Sequence, residues 1–331
     1  MKVCVFGAGA VGGHLGARLA AKKLADVSVV ARGAQLEAIR SRGLTLKSGG
    51  EEIHGMPACV TDDPASLPPQ DFVLVAMKAY TLPALADTLA RLVAPTGAVV
   101  FFLNGIPWWW RQGGRGTQAH LPLLDPEATL WSKLREKALG CVVYSPNDIV
   151  SPGVILHRGG NRYAMGEPNG SASERVRAIV DLFSSSGLPA EVSPDLRAEI
   201  WRKLTSNASS NPLSALTRLS IAEIGADDGL RSLSIAIKNE TLAVAAAMGW
   251  DLRSELEAER PARRPAPAGS TPRPSMMQDV LLGRRLEVDS HLGQTQAFAR
   301  EVGVPVPHID IVLAMLRGLD RGLREGAGAR L

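Results

Sequence analysis

Residues 2–33 constrain this chain more than any other stretch. Lys2–Phe6 (KVCVF) is a short, β-rich apolar run that stops at glycine. Ala10–Lys23 then carries Val11, Leu15 and Leu19 at helical spacing, with small alanines around them. Val27–Ala31 (VSVVA) is β-rich again. Strand, glycine turn, helix and strand within about thirty residues make a parallel crossover, right-handed in nearly all proteins. Between the first strand and the helix lies Gly7-Ala8-Gly9-Ala10-Val11-Gly12, a GxGxxG spacing. In a chain with 33 glycines among 331 residues that string is weak by itself, and its position between strand and helix is what gives it meaning. Gly7 permits a tight turn, Gly9 lets the backbone approach a pyrophosphate, and Gly12 lets helix pack on strand. The free N–H groups at the helix start, at Ala10 and Val11, would face the phosphates.

The end of the second strand selects the dinucleotide. NAD and FAD sites usually place an acid there for the ribose hydroxyls. Here the residues are Val29-Val30-Ala31-Arg32-Gly33, and the nearest acids are Asp26, before the strand, and Glu37, in the next helix. A guanidinium at Arg32 suits the 2′-phosphate of NADP. Arg40 and Arg42 lie too far along to share that role.

Further strands are expected at Phe72–Met77 and Ala98–Leu103, with a helix over Thr81–Leu92 between them. Cys141–Tyr144, Val154–His157 and Tyr163–Met165 are weaker strand candidates for the far edge of the same sheet. After Ser193 the character changes. Helices are expected over Pro194–Asn207, capped by Ser193, and over Leu230–Met248, Arg284–Val302 and Ile309–Arg324. The fold class is therefore α/β. A Rossmann-type doubly wound sheet over residues 1–193 binds NADP, and an all-helical C-terminal domain over 194–331 carries substrate and catalysis.

Lys203, Asn207 and Asn211 are spaced by four and share one helix face. A lysine beside an apolar wall can donate a proton to a carbonyl; on spacing alone, the stripe could equally face solvent. Asp279 and Glu287 are both able to pair with such a lysine, and both also read as ordinary helix-surface acids. Lys78 and Asn104 follow two sheet strands at their carboxyl ends, where open α/β sheets bind ligands. Lys78 could anchor a phosphate or carboxylate, and Asn104 a nicotinamide ribose or carboxamide. Of three adjacent indoles, Trp108, Trp109 and Trp110, at least one is expected at the surface or an interface.

The segments GAGAVG, MKAY (77–80), LNG (103–105), EIWRKLTSNASSNPL (199–213), SMMQD (275–279) and LEVD (286–289) together resemble the ketopantoate reductase family over roughly residues 1–315. The resemblance implies NADPH-dependent reduction of the 2-keto acid 2-dehydropantoate to pantoate, in pantothenate synthesis. It places the general acid on Lys203, its paired glutamate on Glu287, a substrate-carboxylate serine on Ser275 and substrate asparagines on Asn207 and Asn211. It assigns cofactor and substrate contacts to Lys78 and Asn104, and the 2′-phosphate contact to Arg32. The bulky NGIPWWW stretch and the long Arg/Pro segment before Ser275 depart from the family pattern. They leave open a reductase of another 2-keto acid. A catalytically silent NADP(H) sensor is the alternative outside enzymes.

Charge and cysteine usage narrow the partners. Net charge is +4, and residues 260–275 (RPARRPAPAGSTPRPS) contain four arginines and no acid, which accounts for all of it. That single strip is not the broad basic face of a nucleic-acid binder; it reads as a solvated linker or an anion-attracting flap. Three scattered cysteines without a CxxC indicate neither a disulfide framework nor a zinc ribbon, and fit a reducing cytoplasm. No apolar run is long enough to span a membrane, and the six histidines form no ligand cluster, so no metal is expected. A homodimer stays open.

Overall fold

The computed structural model describes residues 1–113, 120–258 and 273–326, with the side chains of 257 and 258 excepted. Most of the arginine-rich strip, residues 260–272, lies outside these. The chain divides into two compact units: Met1–Leu103 with Pro107–Glu199, and Asn104–Ile106 with Ile200–Leu331.

The first unit contains β1 (Lys2–Phe6), α1 (Ala10–Lys22), β2 (Asp26–Val30), α2 (Gly33–Arg42), β3 (Leu44–Ser48), β4 (Glu51–Gly55), β5 (Cys59–Thr61), β6 (Gln70–Val75), α3 (Ala86–Leu92), β7 (Val93–Phe102), α4 (Thr129–Leu134), β8 (Ala138–Tyr144), β9 (Asn147–Ser151), β10 (Val154–His157), β11 (Arg162–Gly166), α5 (Glu174–Ser185) and β12 (Ala190–Val192). Eight strands form one sheet in the order β12-β11-β8-β7-β6-β1-β2-β5. Its pairings are parallel apart from β8 with β11. The inner strands are apolar throughout, as strands covered on both faces must be: Val3, Cys4, Val5, Val73, Leu74, Val75, Val99 and Val100 are all fully buried.

A second sheet, β4-β3-β10-β9, packs on the outer side of α1. Val154–His157 belongs here and not to the far edge of the main sheet, which corrects the expectation for that run. Close packing on α1 demands small residues. A Cβ on Gly13 would lie 2.6 Å from Ile155 Cδ1, one on Gly16 2.7 Å from Leu44 Cδ1, and one on Gly55 2.3 Å from the Ala17 carbonyl oxygen.

His14 is buried in this layer. Arg18 Nε donates to His14 Nε2 at 3.0 Å, so that nitrogen carries no proton. Nδ1 then donates to Asn147 Oδ1 at 2.8 Å. Burial, and behind it the His157 ring and the Arg18 charge, lower the imidazole to about 3 from its ordinary value. Between about pH 6.5 and pH 3 the unfolded chain therefore binds up to one proton more than the folded chain, and stability must fall as pH falls through that window. A loss of roughly 2–3 kcal/mol between pH 6.5 and pH 4.5 is expected from this group. Urea melts across that window should show it, and His14→Gln should flatten the slope; an unchanged slope in the variant would refute the assignment.

Two local expectations shift. The helix over Thr81–Leu92 is regular only from Ala86, and short 3-10 turns occupy Ala79–Thr81 and Pro83–Leu85. Pro83 has no N–H to donate into a continuous helix. The three tryptophans are all buried, at 1%, 2% and 3% exposure, with none at the surface. A turn fans the indoles onto three different walls. Trp108 meets the Phe101 ring edge-on, Trp109 fills the space a Cβ on Gly140 would take, and Trp110 lies under the Arg197 guanidinium. Arg197 also donates to the Trp110 and Gln112 carbonyl oxygens at 2.7 and 2.5 Å.

The second unit is helical: α6 (Leu196–Thr217, its first turn counted with the first unit), α7 (Ile221–Ala226), α8 (Asp228–Ala247), α9 (Arg253–Ala258), α10 (Ser275–Leu281), α11 (Gln294–Glu301) and α12 (Pro307–Arg324). The α6 cap is Asp195, not Ser193: Asp195 Oδ1 accepts from the Ala198 N–H at 3.0 Å. α6 also runs ten residues beyond Asn207, carrying Pro212 inside it. The helix expected over Arg284–Val302 is irregular at 284–287 and continues through a π-helical segment, Asp289–Gly293, before α11. In α12 the buried side chains Ile309, Val312, Leu313 and Leu316 follow the helical repeat. Trp201 packs on Phe298 at 6.2 Å between ring centres.

Candidate active site

In the first unit the glycine turn has the shape its spacing implies. Gly7 takes φ +99° and donates to the Val30 carbonyl at 3.0 Å. A Cβ on Gly12 would fall 1.9 Å from the Gly7 carbonyl oxygen, so the helix start and the strand end touch main chain to main chain. Gly9 is different: nothing lies within 4 Å of its would-be Cβ. The open side of the turn is thus at Gly9, where α1 begins. No side chain caps α1 and no acid stands in its first turn, so the amides at Ala10 and Val11 are left for an anion.

Arg32 stands two residues past the end of β2 and is exposed. Arg40 is engaged elsewhere: its Nε donates to the Val60 carbonyl at 3.1 Å and its guanidinium lies 3.9 Å from Asp62. Lys78 is half-buried just after β6, its carbonyl held by the Thr81 N–H and hydroxyl at 2.9 and 2.7 Å.

In the second unit the structure brings Lys203 and Asn104 together. Lys203 Nζ donates to Asn104 Oδ1 at 2.8 Å, across 99 residues of sequence. Lys203 and Asn207 are half-buried and Asn211 is buried, one turn apart along α6. Neither Glu287 nor Asp279 is a surface acid: they are 7% and 4% exposed. Ser275 opens α10 and is exposed.

The backbone around Glu287 is held from both sides. The Leu286 N–H donates to the buried Asp320 carboxylate at 2.7 Å, and His291 Nδ1 donates to the Glu287 carbonyl at 3.0 Å. Asp320, Ser290 and His291 were invisible to motif reading, because each acts on main chain distant in sequence or on its own turn. Among the described residues no cluster of three or more His, Cys, Asp or Glu could hold a metal, and no helix is long and apolar enough to cross a membrane.

Two family models match the chain, one in each half. The family model described as ketopantoate reductase PanE/ApbA matches residues 3–170, and its C-terminal counterpart matches residues 195–320. A curated 2-dehydropantoate 2-reductase of Mesorhizobium japonicum is 39% identical over 322 residues, covering 96% of this chain and 98% of that protein. A crystal structure of a PanE/ApbA family ketopantoate reductase from Ralstonia eutropha superposes with a TM-score of 0.79 at 25% identity, covering 98% of this chain and all of that one. A D-mandelate dehydrogenase solved with NADH and anilino(oxo)acetate shares the fold, with a TM-score of 0.80 at 21% identity over 98% of this chain and 100% of that one. With its glycine turn, its α6 lysine and family matches over most of its length, the chain belongs to the ketopantoate reductase family.

Proposed function

We propose that the chain reduces 2-dehydropantoate to pantoate with NADPH, a step of pantothenate and coenzyme A synthesis. The observation that carries this reading is the contact of Lys203 with Asn104 on the α6 face that continues through Asn207 and Asn211, in a member of this family. Residues 1–193 would serve the dinucleotide and 194–331 the substrate and the proton.

The cradle fits NADPH. The turn is open at Gly9, the amides at Ala10 and Val11 are uncapped, and the end of β2 offers an arginine where an acid would suit bare ribose. Bound NADPH supplies the hydride. As the ketone carbon is reduced, negative charge grows on its oxygen. Lys203 stabilises that oxygen and gives it a proton. Asn104 accepts from the ammonium and so fixes where Nζ sits. Buried Glu287 orients Lys203 or the new hydroxyl. Ser275 holds the carboxylate end, the amides of Asn207 and Asn211 hold the remaining polar groups of the substrate, and Lys78 serves as an anchor for a phosphate or carboxylate. A reducing cytoplasm is the proposed location, in keeping with the free thiols of Cys4, Cys59 and Cys141.

The test is purified protein with ketopantoate and either NADPH or NADH, following loss of the reduced-nicotinamide absorbance. Turnover with NADPH is expected; none, with NADPH binding demonstrated, would overturn the substrate assignment. Arg32→Asp should weaken NADPH by about tenfold or more, the scale of one lost charge-assisted phosphate contact, and leave NADH nearly unchanged. Equal effects on both cofactors would remove Arg32 from the 2′-phosphate site.

A further inference from the structure

The acceptor that fixes Lys203 is itself fixed by main chain. Asn104, Gly105 and Ile106 are grouped with the second unit although they follow β7 of the first. The Ile106 N–H donates to the Ser290 carbonyl at 2.7 Å. Gly105 stands at φ +77°, and a Cβ there would lie 2.2 Å from the Ser290 carbonyl oxygen and 2.6 Å from its carbonyl carbon. No side chain fits, whatever its chemistry, and the backbone conformation also selects glycine. The Ser290 turn opens the π-helical segment, and it is tied to Glu287. The Ser290 hydroxyl and His291 Nδ1 both donate to the Glu287 carbonyl, at 3.4 and 3.0 Å. Lys203, Asn104, the Gly105–Ser290 contact and the Glu287 backbone therefore form one continuous chain of contacts.

We infer that Gly105 is a positioning residue: its side-chain-free contact with Ser290 sets the placement of Asn104, and through it the placement of Lys203 Nζ relative to the Glu287 turn. The inference rests on the proposed role of Lys203 as proton donor. A Cβ at residue 105 must push the 104–106 segment off Ser290 by roughly an ångström, a displacement that typically costs about 100-fold in rate when it misplaces a catalytic group.

The experiment compares Gly105→Ala, Asn104→Ala, the double variant and Lys203→Ala in kcat, KM for ketopantoate and NADPH affinity by fluorescence titration. Gly105→Ala is expected to lower kcat about 100-fold, with NADPH affinity falling by no more than about tenfold, because only the nicotinamide-end contact at Asn104 shifts and the glycine turn is untouched. If Gly105 acts through Asn104, the double variant should be no slower than the slower single variant. Effects that multiply would overturn the inference, as would a Gly105→Ala enzyme with wild-type kcat beside an inactive Lys203→Ala. An active Lys203→Ala would instead overturn the reading of Lys203, and the inference with it. If Gly105→Ala does not fold, hydrogen exchange at the Ile106 amide of the wild-type protein decides. Strong protection supports the contact, and exchange at the open-chain rate overturns it.

Discussion

Lys203→Ala should bind NADPH almost as wild type does and turn over ketopantoate about a thousandfold more slowly. A positioned general acid contributes ~10²–10⁴ in rate, and the same ammonium also meets the developing oxyanion. The glycine turn proposed for the pyrophosphate lies in the first unit and Lys203 in the second, so loss of the lysine should cost turnover far more than NADPH affinity. Lys203→Ala leaves Asn104 Oδ1 without the ammonium it accepts from, but Asn104 is half-buried and water can replace the donor. Folding should therefore survive. Lys203→Arg sharpens the test. Its guanidinium keeps the charge and can bind an anionic substrate, yet holds its proton too tightly to donate it. It should recover KM for ketopantoate more than kcat. A Lys203→Ala enzyme within tenfold of wild-type kcat would rule out the proposed proton donor.

Gly12→Ala should remove NADPH binding and destabilise the first unit as well. The added methyl would lie 1.9 Å from the Gly7 carbonyl oxygen and 3.2 Å from the Ala76 Cβ. Both neighbours are strand or turn atoms with no rotamer to escape into. The helix must back away from β1, which typically costs ~1–3 kcal/mol and turns the first-turn amides from their target. Gly9→Ala is the matching control. No atom lies within 4 Å of its Cβ, and φ is −74°, so stability should hold. The same methyl stands over the open side of the turn, and NADPH affinity should fall by about 100-fold or more, as when close approach to a phosphate is lost. Thermal melts and cofactor titrations on both variants give the comparison. A Gly9→Ala protein with wild-type NADPH affinity would move the cofactor away from this turn.

The first crossover was legible in the sequence because every local signal there agrees: β-rich strands, a glycine turn and a helical repeat, all within one contiguous stretch. The second sheet was not. Its strands are short, β4 and β9 are largely exposed, and β3 finds its parallel partner β10 more than a hundred residues downstream. β4 and β9 carry no apolar alternation to read, and β10, although expected as a strand, gave no sign of which sheet it joins. The start of α6 was legible in outline, but the cap fell on Asp195, two residues later than Ser193, because the Asp195 carboxylate reaches the Ala198 amide. The polar stripe of Lys203, Asn207 and Asn211 was visible as a face, and only the fold shows that its lysine meets Asn104. Burial likewise could not be read at Glu287 and Asp279: apolar neighbours such as Val280, Leu286 and Val288 mark a core-facing element but not which way the acid between them points. The tryptophans failed for a different reason: three walls around a tight turn replaced the single face that adjacency suggests.

The sheet packed on the outer side of α1 has a consequence for the thermodynamics of cofactor capture. A helix covered on one face alone can fray or swing at modest cost. α1 is covered on both faces, with residues 12–17 and Leu19 buried and with glycines where the β-layers press in. It can open only together with the layers around it, near the upper end of the unit's local stabilities. Its N-terminal amides are consequently aimed before any ligand arrives, and no ordering entropy is lost there on binding. Calorimetry of NADPH association should show a small entropic penalty, and hydrogen exchange in α1 should be nearly the same with and without cofactor.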